Sequence, residues 1–303
     1  MTNDFQRTKK KGVSIERKIE KWAYLFIIGP LLYFFTFRMF PTLFSFYLSV
    51  TKWDLLSSNK PFSGLENFKD VVNDPVFRTA IVNTLKYLVV AVPICLVLSL
   101  GIALVLNAIV KGKGLFRMLI FIPYITSTVA ISWVWKWMFM KNGGVINTIL
   151  IALGLKAQPF LNSTTQAIYV IISNIVWKQI GFNTIIFIAG LMQISRTYYE
   201  AAEIDGASSW QQFKNITLPL LNPTVVYLAV INTISTLQVF TQIFNIAGPE
   251  GGPLNSTNSI VVEIYKTAFM SYKMGRASAM TVILFIIILG ITLFQMKVLN
   301  KEN

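Results

Sequence analysis

Charge is what this sequence has least of. Only 13% of its 303 residues are charged, about half the share usual in soluble domains. Hydrophobic residues make up 54%, and the mean hydropathy is +0.59. No soluble core of ordinary size absorbs that much apolar surface, and disordered chains are poor in aliphatic and aromatic residues. Histidine is absent and Cys95 is the only cysteine. An intramolecular disulfide is therefore impossible, and zinc or iron–sulfur centres lack their usual ligands. Cys95 lies in the run Val92-Pro93-Ile94-Cys95-Leu96-Val97 and reads as a small packing residue. No Gly-x-x-x-x-Gly-Lys-Ser/Thr phosphate loop occurs, so any ATP used must be bound by another chain. Acidic residues are missing from the apolar runs except for Glu263 near the end of one, which weakens a proton-coupled carrier. No nucleophile–base pair suggests catalysis.

What is present is a succession of apolar runs, each near the roughly 20 residues that cross a bilayer as a helix. They predict an all-α membrane protein of about six transmembrane helices: Ala23–Phe46, Ala80–Ala108, Phe116–Met140, Ala167–Met192, Thr224–Ala247 and Ala277–Val298. The net charge of +14 does not form a nucleic-acid-binding face. Lys and Arg gather in residues 1–21 and at the ends of apolar runs, the pattern that fixes orientation in a membrane. Residues 1–21 read as a basic cytoplasmic segment ahead of a transmembrane domain, 22–303. The first run is too long for a signal peptide and lacks a small-x-small cleavage site. Lys111, Lys113 and Arg117 place the second connection in the cytoplasm, and an even number of spans puts both termini there. Arg38 falls toward the outer end of the first span and reads as a snorkelling side chain.

The connection over about 193–223 is unlike a plain linker. Tyr199–Ile204 is rich in helix formers, Asp205-Gly206 interrupts it, and Ser208/Gln211 or Ser209/Gln212 offers a capping box for a second helix. Phe213 and Ile216 recur on one face before Pro219. A compact two-helix unit with exposed aromatics suits docking into a partner's groove, and an amphipathic segment lying on the membrane is the alternative.

Glu200-Ala201-Ala202, Asp205-Gly206-Ala207 and Leu218-Pro219 closely resemble the EAA loop of permease subunits of bacterial ATP-binding-cassette importers. Gly64-Leu65-Glu66-Asn67-Phe68, the region Phe116–Asn147, and Gly251-Gly252-Pro253 with Gly275 and Ala277-Ser278-Ala279 resemble the carbohydrate branch, specifically the first of the two permeases in maltose- and glycerol-phosphate-type systems. The resemblance implies that the loop is a coupling helix seated in an ATPase subunit. It also implies a second homologous permease, two cytoplasmic ATPases that hold ATP and Mg, an extracytoplasmic solute-binding protein, a sugar cargo and the bacterial inner membrane. Glycerol phosphate or another small polar solute is the alternative cargo, and an ion-coupled carrier the alternative machine.

Candidate cargo-path residues come from polar positions within spans. Gln238, Thr241, Gln242 and Asn245 recur at i, i+3, i+4 and i+7, which predicts one helical face, with Asn232 on the same span. Such a stripe faces a neighbouring helix or a wet cavity, since hydrocarbon leaves polar groups unpaired. Trp177, Gln179 and Asn183 on the fourth span join them. Amides and hydroxyls both donate and accept, as sugar hydroxyls require. Lys178 beside them is a charge in a span, read as functional or as paired with a carbonyl.

Overall fold

The computed structural model describes residues 22–24, 26–56, 59–108 and 112–299. The basic segment 1–21 and Lys111 lie outside the described residues. Thirteen helices can be traced among them: α1 (Trp22–Ser49), α2 (Glu66–Asn73), α3 (Pro75–Ala108), α4 (Lys113–Ile125), α5 (Thr128–Met138), α6 (Val145–Ala152), α7 (Ala167–Gln193), α8 (Arg196–Ile204), α9 (Ser209–Leu220), α10 (Asn222–Leu237), α11 (Thr241–Ile246), α12 (Ile260–Tyr265) and α13 (Met274–Leu299). α1, α3, α7 and α13 are each long and apolar enough to cross a membrane, and six spans result if the bent pairs α4–α5 and α9–α10 each count as one.

α3 is the axis of the bundle, for its length carries it through three packed clusters. Phe77 near its start meets Val71, Ile260 and Met280. Tyr87, Ala91 and Cys95 pack on Ile171 and Ile175 of α7 and on Ile243 of α11. Ala103 and Leu106 at its end meet Phe187, Leu191 and Leu228. Lipid tails are as apolar as leucine, so close packing rather than the hydrophobic effect holds such helices together. Glycine makes the closest approaches: a Cβ on Gly181 of α7 would collide with the Ile120 carbonyl of α4, and one on Gly275 of α13 with the Thr51 carbonyl.

The third apolar run, expected as one span over Phe116–Met140, is two helices meeting at 90° around Thr126-Ser127. Pro123 lacks an amide proton, and its ring opposes the carbonyl one turn back. Where the helix ends, its last carbonyls have no amide partner one turn on; Lys178 Nζ donates to Thr126 at 2.7 Å, Tyr124 at 3.2 Å and Pro123 at 3.4 Å, and Thr126 Oγ1 also donates to Pro123 at 2.7 Å. The structural reading of Lys178 is thus the one the geometry supports.

The fifth run also differs from expectation. Instead of one helix over Thr224–Ala247, α10 stops at Leu237 and α11 begins at Thr241. Ser259 donates to the Val239 carbonyl at 2.8 Å, and the Phe240 ring sits 5.2 Å from both Phe244 and Tyr265. Tertiary contacts therefore satisfy the groups that a continuous helix would have used.

α1 departs from a regular helix over Phe35–Met39, and α9 over Phe213–Thr217, each by one π turn closed by the residue immediately before a proline, Pro41 or Pro219. The wider turn moves the upstream carbonyls away from a ring that offers them no donor. Arg38 lies within the first of these turns. It is about 16 Å from Ser49 along the axis, in the half of α1 that ends at Ser49.

Candidate functional site

The connection between α7 and α10 is a closed two-helix unit. Ser195 caps α8 by accepting from the Thr197 amide. At the other end of α8, Gly206 adopts φ +76°, its N–H donates to the Glu203 carbonyl at 3.1 Å, and the Ala207 N–H donates to Ala202 at 2.8 Å. Those two bonds form a Schellman motif, which needs a residue at ease with positive φ. Of the two capping boxes the sequence offers, Ser208/Gln211 is the one formed: Gln211 Oε1 accepts from the Ser208 amide at 2.7 Å, and Ser208 Oγ accepts from the Gln211 amide at 3.4 Å. A bond between the Tyr199 and Thr217 hydroxyls, 2.9 Å apart, ties α8 to α9. The Arg196–Glu200 pair at 3.7 Å is fully exposed and adds little.

A unit so well satisfied internally is rigid, yet it exposes large apolar groups. Ile204 is 87% exposed and Trp210, stacked on Phe213 at 5.4 Å, is 69% exposed. Glu200, Ala201, Asp205, Gly206, Leu218 and Pro219 are exposed, while Ala202 and Ala207 are partly covered where the two helices meet. Beyond its own chain neighbours, no described residue lies within 4 Å of a Cβ built on Gly206. The elbow therefore points away from the bundle.

The cargo-path candidates separate into two groups. Asn183 and Asn232 are fully buried and pair amide to amide, each Nδ2 donating to the other's Oδ1 at 3.2 Å; Asn183 also donates to Cys95 Sγ at 3.1 Å. These two residues clamp α3, α7 and α10 together and line no opening. The others stay accessible. Trp177 packs on Trp135 with centroids 4.8 Å apart, and Gln179 donates to Ser235 Oγ at 3.0 Å. Gln238 stands at the break after α10, so the four-residue stripe does not lie on one helix; Thr241, Gln242 and Asn245 share α11, with Asn245 donating to the Thr241 carbonyl. At the end of α11, Ile246 and Ala247 border a cleft of about 360 Å³ that Lys136, Lys141 and Asn162 also line.

Sequence reasoning missed a polar scaffold at the end of the bundle opposite the α8–α9 unit. Asn83 of α3 donates to the Asn255 and Asn258 carbonyls, and the Tyr87 hydroxyl to that of Thr257. Gly251 and Gly252 both have positive φ, and a Cβ on either would lie under 3.0 Å from Asn258 or Thr257. This pedestal holds Leu254 at φ +53° and 87% exposed. A leucine pays about 1–2 kcal/mol for that backbone conformation. Asn67 holds the top of α1 by donating to the Ser49 and Thr51 carbonyls, and Arg276 pairs with Asp74 between α13 and α3. The signal for all of this was the polar spacing on α3, Asn83-Thr84 with Tyr87, inside an otherwise apolar run.

The family model for "Binding-protein-dependent transport system inner membrane component" matches residues 78–301, a stretch that includes the capped elbow, the amide clamp and the Leu254 pedestal. The chain belongs to that family. This inner membrane component is 34% identical to the lactose transport system permease protein LacF of Rhizobium radiobacter over 93% of its length and 95% of the relative's. It is also 34% identical to the trehalose/maltose transport system permease protein MalF of Thermococcus litoralis, over 92% and 93% of the two chains. Its fold matches a chain of a bacterial ABC transporter involved in the import of the acidic polysaccharide alginate, with a TM-score of 0.82, 24% identity and coverage of 94% and 96%. A multi-pass permease is thus the common ground of sequence, fold and family.

Proposed function

We propose that this chain is one of two permeases in an ATP-binding-cassette importer that brings a sugar or oligosaccharide into a bacterial cell across the inner membrane. The observation that carries this reading is the α8–α9 unit: a doubly capped elbow, rigid by its own hydrogen bonds, with Ile204 and Trp210 held out for a partner. Permeases similar over nearly their whole length are named for lactose and for trehalose/maltose, and one similar over 92% of this chain is named for sn-glycerol-3-phosphate. The elbow docks on one of two ATPase subunits, which hold ATP and Mg, and the residues that meet the ATPase are Glu200, Ala201, Ala202, Asp205, Gly206 and Ala207, with Leu218 and Pro219 leading back to the membrane. Hydrolysis belongs to those partners, and this chain is not itself an enzyme. At the opposite face, a solute-binding protein delivers cargo against the ledge formed by Leu254 and its pedestal.

The cargo path follows the accessible members of the polar seam, Trp177, Gln179, Gln238, Thr241, Gln242 and Asn245. Asn183 and Asn232 support that path from behind by fixing the angle between α7 and α10. A seam of amides and hydroxyls suits a neutral, hydroxyl-rich cargo, because each group can exchange donor and acceptor roles as the sugar passes. Closure of the ATPases on ATP draws two such elbows together and shifts the seam between inward and outward exposure, a population shift driven by differential binding of nucleotide.

The reading is tested by affinity isolation of the chain from its native membrane in mild detergent. A second permease and an ATPase are expected in stoichiometric amounts. Recovery of the chain with neither contradicts the proposal.

A further inference from the structure

We propose that the cleft where α5 and α11 end is a subsite for an anionic sugar residue, in which Lys136 and Lys141 hold a carboxylate or phosphate carried by the cargo. The proposal rests on the importer reading above and names the class of sugar. The cleft, about 360 Å³, lies between the end of α5, residues 161–162 and the end of α11. It is at the end of the bundle opposite the α8–α9 elbow: α7 begins at Ala167, shortly after Asn162, and ends at Gln193, just ahead of α8. Its volume is at the small end of the range for ligand sites, about 300–1,000 Å³. The wall given by α11 follows directly on Asn245 of the polar seam.

The walls are fixed before any ligand arrives. Asn147, only 2% exposed, donates from Nδ2 to the Met140, Lys141 and Gln158 carbonyls and accepts from the Gln158 amide at 2.8 Å. The turn that bears Lys141 is thereby tied to the segment that leads to Asn162. Phe139 meets Phe160 edge to face at 5.1 Å, and Phe160 holds φ +38°, a conformation a bulky residue keeps only where its surroundings impose it. Charge at this rigid cleft has one sign. The Lys136 ammonium lies over the Trp133 ring at 4.8 Å, the Lys141 ammonium contacts no described residue, and neither has a carboxylate partner among the described residues. No Asp or Glu occurs anywhere between Asp74 and Glu200. Two unneutralised cations in a concave site concentrate anions, and their bonds to carboxylate or phosphate are stronger than neutral ones. The rest of the lining fits a sugar. The side-chain amides of Asn142 and Asn162 are bonded to no described residue, which leaves donors and acceptors for hydroxyls. Met140 and Leu161 offer apolar surface to the C–H face of a ring. A carboxylate docking from a binding protein would need the lysines alone. The seam thus suits the neutral, hydroxyl-rich body of the cargo, and the cleft its charged end.

Two measurements on the isolated complex with its binding protein test this. In the first, ATP-driven uptake into proteoliposomes is compared for neutral disaccharides, the same disaccharides ending in a uronate, and their phosphate esters. At least one anionic set is expected to enter at least tenfold faster than its neutral parent at equal subsaturating concentration, and which set does so identifies the anion as carboxylate or phosphate. Lys136→Gln combined with Lys141→Gln is expected to raise KM for that anionic sugar at least fivefold, and Lys141→Glu at least as much, which assigns the preference to the cleft. In the second, lysines of the native complex are acetylated during turnover and located by mass spectrometry. The anionic sugar is expected to slow modification of Lys141 at least threefold and its neutral parent not to, which keeps the test open if the variants fail to accumulate. Faster uptake of the neutral sugars, an unchanged KM in the double variant, or equal protection by both sugars overturns the proposal while the importer reading stands. Loss of the binding protein from the variant complexes, whatever the cargo, also overturns it and assigns the cleft to docking. A defect confined to vesicles of anionic lipid overturns it and assigns the lysines to a headgroup. ATP-dependent uptake of no sugar at all fails the importer reading itself.

Discussion

Replacing Gly206 with valine is expected to cut sugar uptake by at least about tenfold while the chain still reaches the membrane at near-normal levels. Two physical effects act together. A β-branched residue at φ +76° is among the least tolerated in the left-handed region, and the Schellman bonds from Gly206 and Ala207 hold only if that conformation is kept. About 1.4 kcal/mol of misfit at the elbow is already a tenfold change in an equilibrium. The second effect is steric: a Cβ at this position meets no described residue beyond its neighbours, so under the proposed docking it would project into the ATPase groove. Asparagine, which tolerates positive φ, separates the two. If conformation alone matters, Gly206→Asn restores most of the uptake. If the ATPase groove needs a bare backbone, Gly206→Asn fails as valine does. Uptake assays alongside ATPase rates check this, and ATPase activity is expected to persist without uptake. Normal uptake in Gly206→Val removes the elbow from the coupling path.

Lys178→Leu is expected to lower the thermal unfolding midpoint of the chain more than any single change on its lipid-facing surface. The substitution leaves the carbonyls of Tyr124 and Thr126 at the 90° break without the Lys178 donor and the Pro123 carbonyl with Thr126 Oγ1 alone. Charge-assisted bonds are worth about 1.5–3 kcal/mol each in proteins, while interhelical bonds in membranes average nearer 0.6 kcal/mol. A loss of about 3 kcal/mol for the set lies between these scales. The neighbouring contacts allow little accommodation: Gly181 packs directly on the Ile120 carbonyl, and Phe182 stacks on Tyr124 with centroids 4.9 Å apart. Lys178→Arg keeps a cation and is expected to retain more than half of the lost stability. A midpoint for Lys178→Leu within a degree of the native chain means that the break is held by packing alone.

How much of this was legible in the sequence depends on whether the deciding contact was local. The α8–α9 elbow was readable because its determinants are neighbours: helix formers, then Asp205-Gly206, then Ser208 three residues before Gln211. The fourth span was placed within a residue at each end, since Ala167–Gln193 is uninterrupted. The third and fifth runs were misread as continuous because composition reports only apolarity. Pro123 marks the first break locally, but the contacts that hold both breaks come from residues far along the chain, Lys178 for one and Ser259 for the other. The polar stripe failed for the same reason: a period of 3.6 holds only while the helix does, and the helix is interrupted between Leu237 and Thr241. Asn183 and Asn232 look in sequence like any polar residue in a span. Only their mutual distance shows that they satisfy one another. The first run was taken to stop at Phe46, whereas the helix continues to Ser49.

The central claim is that this chain moves a sugar inward only as part of an ATP-driven assembly. Its most direct test is uptake by the affinity-isolated complex in proteoliposomes, with a panel of radiolabelled oligosaccharides and the co-isolated binding protein, and with or without ATP on the ATPase side. Accumulation of one class of sugar that requires both ATP and the binding protein, and that Gly206→Val abolishes, is the predicted result. Equal uptake without ATP by liposomes holding this chain alone would contradict the account and identify it as an autonomous carrier.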